Sequence, residues 1–194
     1  MTRWTAYAAL AAVALLAVTG CEAGADGAPA GGDFSFVAPG GDTDIRYPVE
    51  ERQDMPPVAG EDLFDEDEEI STEEFAGEVI VINIWGQWCG PCRREAPVMQ
   101  RIHEEYSDEG VQVLGIDVRD PSRKAPQDFM ADRGLDYPSI YDPPGKSLLA
   151  LSGYPRNIVP STIIVDRQQR VAAVFLRELL YEDLRPEVER LAAE

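Results

Sequence analysis

The chain has 194 residues, of which 44% are hydrophobic and 27% charged. That balance suits one packed domain with appendages and excludes a wholly disordered or collagen-like polypeptide. Lysine and arginine total 17 against 36 acids, a formal charge of -19, so phosphates repel the surface and nucleic acid is excluded as a natural partner.

Anionic headgroups would be repelled too, so membrane attachment must come from apolar or covalent anchoring. Residues 1–20 read as a leader, with Arg3 followed by an uncharged apolar stretch over 6–18. The stretch is the length of a signal-peptide core and short of the roughly 20 apolar residues that a spanning helix needs. Val18-Thr19-Gly20-Cys21 resembles a bacterial lipobox. It implies cleavage before Cys21, a diacylglycerol on its sulfur, and a mature protein held in the cell envelope on the outer face of the cytoplasmic membrane. The alternative is an ordinary secretory leader with a chance cysteine. Residues 21–57 continue as a Gly/Ala/Pro-rich tether to about Asp33 and then an irregular extension carrying Phe34, Phe36, Ile45 and Tyr47. Residues 58–194 form the main domain. It opens on Glu61–Glu69, seven acids among nine residues, which reads as a solvated hairpin turn before it reads as a docking face for a basic partner.

Val79–Trp85 is a continuous apolar run of strand length, the pattern of a strand buried on both faces. A helix from about Pro91 to Tyr106 follows, with Met99, Ile102 and Tyr106 on one stripe and Pro97 positioned to kink it. Val111–Val118 is the next strand and Pro121–Arg133 a second helix, while Tyr137–Pro144 reads as turn-rich. Leu148, Leu149 and Leu151 suggest a short helix. Thr162–Val165 and Val171–Leu176 form a hairpin across the polar residues 166–170, and a last helix carries Leu184, Val188 and Leu191. A buried parallel pair, a hairpin and flanking helices make an α/β domain with a mixed sheet.

The three cysteines, Cys21, Cys89 and Cys92, are too few to staple a scaffold. Cys89-Gly90-Pro91-Cys92 falls where the buried strand gives way to the helix. Free N–H groups at a helix N-terminus favour a thiolate, which makes Cys89 the attacking sulfur. Cys92, one helical turn on and set deeper, is the resolving thiol that releases substrate from the mixed disulfide. Pro91 suits the first turn, where its missing N–H costs nothing.

Trp85-Gly-Gln-Trp-Cys-Gly-Pro-Cys resembles the thioredoxin active-site motif. With Asn83, the CRxExP continuation from Cys92 to Pro97, GIDVRD at Gly115–Asp120 and Val159-Pro-Ser-Thr162, the chain from about Gly60 onward resembles the exported TlpA/ResA-type thiol-disulfide oxidoreductases. The resemblance implies a thioredoxin fold with an N-terminal β-hairpin and an insertion between the second strand and the cis-proline strand. It implies that Pro160 is that cis-proline, and that Trp88, Gly90, Pro91, Val159 and Pro160 receive the substrate peptide. It makes Glu95 a third catalytic residue beside the cysteines. Read from its position alone, Glu95 is equally an exposed first-turn acid favoured by the helix dipole. Two departures stand out. Asn83 replaces the buried aspartate of cytoplasmic thioredoxin and reads as a hydrogen-bonded core amide, and Gly90 takes a place where some relatives carry an acid.

By the same resemblance the chain is a reductase of disulfides in envelope proteins, with apocytochrome c or a protein of cytochrome c maturation as substrate. A disulfide-forming oxidase is the alternative. The sequence shows no P-loop and no dinucleotide fingerprint, so no cofactor is expected and electrons must arrive by thiol exchange, from a membrane transporter of the CcdA or DsbD kind. A binding or metallochaperone module is the rival from another class. A closed zinc site needs four ligands, whereas one CxxC stands alone and His103, eleven residues beyond Cys92, would lie roughly 16 Å away along a helix.

Overall fold

The computed structural model describes residues 34–194; the leader, Cys21 and the tether lie outside them. Six strands form one mixed sheet, in chain order β1 (Asp44–Arg46), β4 (Val79–Trp85), β5 (Val111–Asp117), β6 (Ser139–Tyr141), β7 (Ser161–Val165) and β8 (Val171–Phe175). Their spatial order is β1-β8-β7-β4-β5-β6. β4, β5 and β6 run parallel, and β7, β8 and β1 are added antiparallel to their neighbours. A separate hairpin pairs β2 (Ala59–Glu61) with β3 (Glu69–Ser71). Three helices, α1 (Gly90–Tyr106), α2 (Lys124–Ala131) and α3 (Tyr181–Ala192), complete the domain.

Strand alternation divides the core. Val79, Val81 and Trp85 of β4 pack with Met99 and Ile102 of α1, Phe129 and Met130 of α2, and Leu184, Val188 and Leu191 of α3. Ile80, Ile82 and Ile84 point the other way, as successive strand side chains must. They meet Phe34, Ile45, Met55, Leu148, Leu151 and Tyr154. The second face of the sheet is thus sealed largely by the segment before the hairpin and by an insertion. Each isoleucine so covered contributes about 1.5–3 kcal/mol relative to exposure.

The segment over 34–57 carries more order than an irregular extension. Asp44–Arg46 pairs with β8 as an edge strand, and Arg52 is buried. Its guanidinium binds Asp166 Oδ2 at 2.9 Å and Glu194 Oε2 at 2.6 Å, tying this segment to the β7–β8 loop and the end of α3. Two further expectations are corrected. Tyr137–Pro144 contains β6, which owes its form to pairing with Gly115–Asp117, and the second helix is shorter than Pro121–Arg133 because Asp120–Arg123 serve as a loop ahead of it. The acidic run makes the turn of the β2–β3 hairpin, with most of its acids exposed as charge requires and Leu63 buried in the core. α1 continues through Pro97 to Tyr106.

Candidate active site

The junction between β4 and α1 brings the predicted residues together. Cys89 is the N-cap of α1, and its sulfur accepts the backbone N–H of Cys92 at 3.2 Å. A thiolate at this position would keep that hydrogen bond and gain from the helix N-terminus. Cys89 and Cys92 form a disulfide with Cα atoms 5.3 Å apart. Cys92 is the more deeply set, 1% exposed against 4% for Cys89. Gly90 is exposed and Pro91 half-buried in the first turn.

The Val159–Pro160 bond is cis, and the Val159 carbonyl oxygen lies 3.8 Å from the Cys89 sulfur. The approach to this bond is held by a short relay in which Tyr154 donates to Ser161 Oγ at 2.6 Å and Ser161 Oγ donates to the Ile158 carbonyl at 3.0 Å. Trp88 stands exposed beside the dithiol, its indole N–H donating to the Val118 carbonyl at 2.8 Å. Gly86 makes that fold-back possible, since a Cβ there would fall 2.3 Å from Trp88 Nε1.

Glu95 is not an exposed first-turn acid. It is 1% exposed, one helical turn beyond Cys92 and therefore on the same side of α1. Asn83 Nδ2 donates to its Oε2 at 2.9 Å, and the Leu179 N–H donates to its Oε1 at 2.8 Å. Burial pushes its carboxyl up to about 7, against the lowering effect of those two bonds. Asn83 is a satisfied core amide as expected, donating also to Thr162 Oγ1 at 3.2 Å.

The fold and this junction can be set against known proteins. The AhpC/TSA family model matches residues 52–174. The chain belongs to the AhpC/TSA family. Its fold is thioredoxin-like. Similar proteins include the thiol-disulfide oxidoreductase ResA of Halalkalibacterium halodurans, 32% identical over 114 residues, which make up 59% of this chain and 61% of that protein. ResA of Geobacillus thermodenitrificans is 27% identical over 118 residues, 61% of this chain and 66% of the relative. The chain thus spans about three-fifths of the length of the first of these curated relatives. Among solved structures, a secreted thiol-disulfide isomerase from Corynebacterium glutamicum is 45% identical with a TM-score of 0.81, covering 84% of this chain and 99% of that one. A DsbF homologue from Corynebacterium diphtheriae is 44% identical with a TM-score of 0.77, covering 81% and 99%.

This AhpC/TSA chain also carries site residues that the sequence reading left unassigned. Asp117 is fully buried at the end of β5, and neither carboxyl oxygen has a hydrogen-bond donor. Burial and the neighbouring Asp120 carboxyl push it up to about 9. Asp120 Oδ2 accepts the N–H of Gln87 at 2.8 Å, two residues before the first cysteine, so the pair is joined to the loop that delivers Cys89. A lone acid ending the uncharged strand VQVLGID was the available signal. Among the described residues no three His, Cys, Asp or Glu side chains gather as a metal site. His103 lies eleven residues along α1 from Cys92, its Nε2 3.9 Å from Asp136.

Proposed function

We propose that the chain is an extracytoplasmic thiol-disulfide oxidoreductase, anchored through a lipid on Cys21, that reduces disulfides of envelope proteins. The observation that carries this reading is the Cys89–Cys92 pair at the N-terminus of α1, with a cis-proline carbonyl neighbour 3.8 Å from the outer sulfur. The names of the ResA relatives, thiol-disulfide oxidoreductases, support the thiol-disulfide exchange in this reading. In the reduced state Cys89 attacks one sulfur of a substrate disulfide, forming a mixed disulfide while the other substrate sulfur leaves and takes up a proton. Cys92 then gives its proton to Glu95 and attacks the Cys89 sulfur. The intramolecular disulfide closes, the second substrate sulfur leaves as a thiol, and two electrons and two protons have passed to the substrate. A carboxyl near pH 7 has a suitable affinity for that proton. Trp88, Gly90, Pro91, Val159 and Pro160 frame the place where the substrate backbone would lie.

Fresh reductant would come by thiol exchange from a membrane transporter of the CcdA or DsbD kind, and apocytochrome c or one of its maturation proteins is the proposed substrate. Among the described residues no helix is long and apolar enough to cross a membrane, so attachment rests on the N-terminal segment. A second reading, formation or rearrangement of disulfides, is favoured by the names of the two relatives at 45% and 44% identity, a secreted isomerase and a DsbF homologue.

Acid quenching of growing cells, thiol alkylation and intact mass separate these readings. Two labels without prior reduction mean a pair held reduced, as a reductase requires; none means a resting disulfide and moves the oxidase reading ahead. A third label after reduction would show Cys21 free and remove the lipid anchor. Normal haem-stained c-type cytochromes in a deletion strain would remove the cytochrome assignment.

A further inference from the structure

Although the chain carries a charge of -19, three exposed arginines near the Cys89–Cys92 junction, Arg93, Arg119 and Arg156, have no carboxylate within ion-pair distance among the described residues, and two of them, Arg119 and Arg156, share a cleft. Arg46, Arg52, Arg94 and Arg177 each sit against a carboxylate. Arg119 and Arg156 line one shallow cleft of about 370 Å³ with Tyr154, Pro155 and Asn157, and no acid lines it. Arg119 Nη2 donates to the Arg156 carbonyl at 3.1 Å, and its guanidinium carbon lies 5.7 Å from the centre of the Trp88 ring.

Several bonds fix this cleft relative to the reacting sulfur. The residues on either side of Arg119 are tied to the loop preceding Cys89. Val118 N–H donates to the Trp85 carbonyl at 2.9 Å, Trp88 Nε1 donates to the Val118 carbonyl, and Gln87 N–H donates to Asp120 Oδ2. Arg119 itself adopts φ 62, a left-handed conformation uncommon for a side-chain-bearing residue, and its N–H donates to the Pro143 carbonyl at 3.0 Å. On the other wall, Pro155–Asn157 lead directly into Ile158 and the cis bond at Val159–Pro160. Both walls of the cleft thus continue into the loops that flank Cys89, within reach of the residues on one side of a substrate disulfide.

Building on the dithiol function proposed above, we infer that the Arg119–Arg156 cleft binds acidic side chains flanking the substrate's disulfide, so that the protein selects acidic polypeptide segments. Guanidinium forks match carboxylates in geometry as well as charge. The overall negative charge opposes this at long range, but at 0.15 M salt it is screened beyond about 8 Å while contacts inside the cleft persist.

The test uses two quenched-fluorescence disulfide peptides, identical except for Asp-Asp or Lys-Lys two residues from one cysteine, with the uncharged bis(2-hydroxyethyl) disulfide as a third substrate. At 0.15 M salt the acidic peptide should show roughly tenfold higher kcat/KM, mainly through KM. Arg119→Lys, which keeps the charge but loses the fork, should keep the acidic preference at a lower ratio, the double variant Arg119→Ser/Arg156→Ser should bring it below about twofold, and Arg156→Glu alone, which leaves the cleft without net charge, should bring it near unity. Equal rates for both peptides with the unmodified protein, or an unchanged ratio in the double variant, would overturn the inference. Failure to turn over even the uncharged disulfide would instead overturn the dithiol reading on which the inference rests.

Discussion

Glu95 and Asp117 are both carboxylic acids sealed beneath the helix-covered face of the sheet, and their surroundings differ by two hydrogen-bond donors. Glu95 receives Asn83 Nδ2 and the Leu179 N–H and stands near 7. Asp117 receives none, and burial, with the neighbouring Asp120 carboxyl adding to it, pushes it up to about 9. Burial disfavours the charged form of each, donors restore part of it, and a second carboxyl removes more. The donor count therefore decides which acid exchanges a proton near neutrality and which keeps it. A protonated Asp117 becomes the donor that its own oxygens lack, with Asp120 as acceptor, while Asp120 holds the Gln87 N–H. Glu95 lies one helical turn beyond Cys92, and Asp117 lies beside Asp120, the carboxylate that accepts the Gln87 N–H in the loop before Cys89.

Four substitutions break or sharpen that contrast. The largest effect belongs to Cys89→Ser, which should reduce disulfide exchange to the uncatalysed background in a peptide-disulfide assay and so set the floor for the others. Glu95→Gln should slow exchange roughly 100-fold at pH 7 and erase the inflection near pH 7 in the rate profile. If Asp117→Asn causes an equal loss, the two acids play one role and the contrast fails. Gly86→Ala would drive a Cβ against Trp88 Nε1 and the Val118 carbonyl, the latter at 2.9 Å, in the loop that Asp120 supports. We expect about 1–3 kcal/mol of destabilisation by urea titration and a changed Trp emission; an unchanged spectrum and stability would show that the loop yields freely.

The smallest effect is that of Asp117→Asn on stability. A carboxyl raised from its unfolded value of 3.8 to about 9 leaves the folded state holding a proton that the unfolded chain releases. Stability is then fullest below about pH 4 and falls progressively toward pH 9. The asparagine removes that slope and can donate to Asp120, so the variant should gain stability relative to the unmodified protein as pH rises from 4 to 8.5 in denaturant titrations, with little gain at pH 4. Parallel stability curves for the two proteins across this range would contradict the protonated assignment.

What could be read in advance follows from how local each determinant is. β4, α1 and α3 carry their periodicity within their own residues, and the cysteine pair carries its spacing. β6 is three residues long and lies between Pro138 and the Pro143-Pro144 pair; only its ladder with β5 makes it a strand. Position alone left Glu95 divided between a residue close to the cysteines and an exposed first-turn acid, because its donors come from a strand twelve residues back and a segment 84 residues ahead. Arg52 was equally opaque, since both its acids lie more than a hundred residues away. The thioredoxin-like fold was legible from motif and pattern together, whereas the proton environment depends on contacts that no short window contains.

The Arg52 clamp also has a mechanical meaning. Tension arriving through the residues ahead of Phe34 would meet the contacts of Phe34–Phe36 with Asp54, Gln53 and Ser152, then the β1–β8 ladder and the Arg52 contacts with Asp166 and Glu194. β1 lies at the sheet edge, and β8 and β7 stand between it and the strand that delivers Cys89. A pull on the N-terminal side of Phe34 is shared among these elements before it reaches the strand that delivers Cys89.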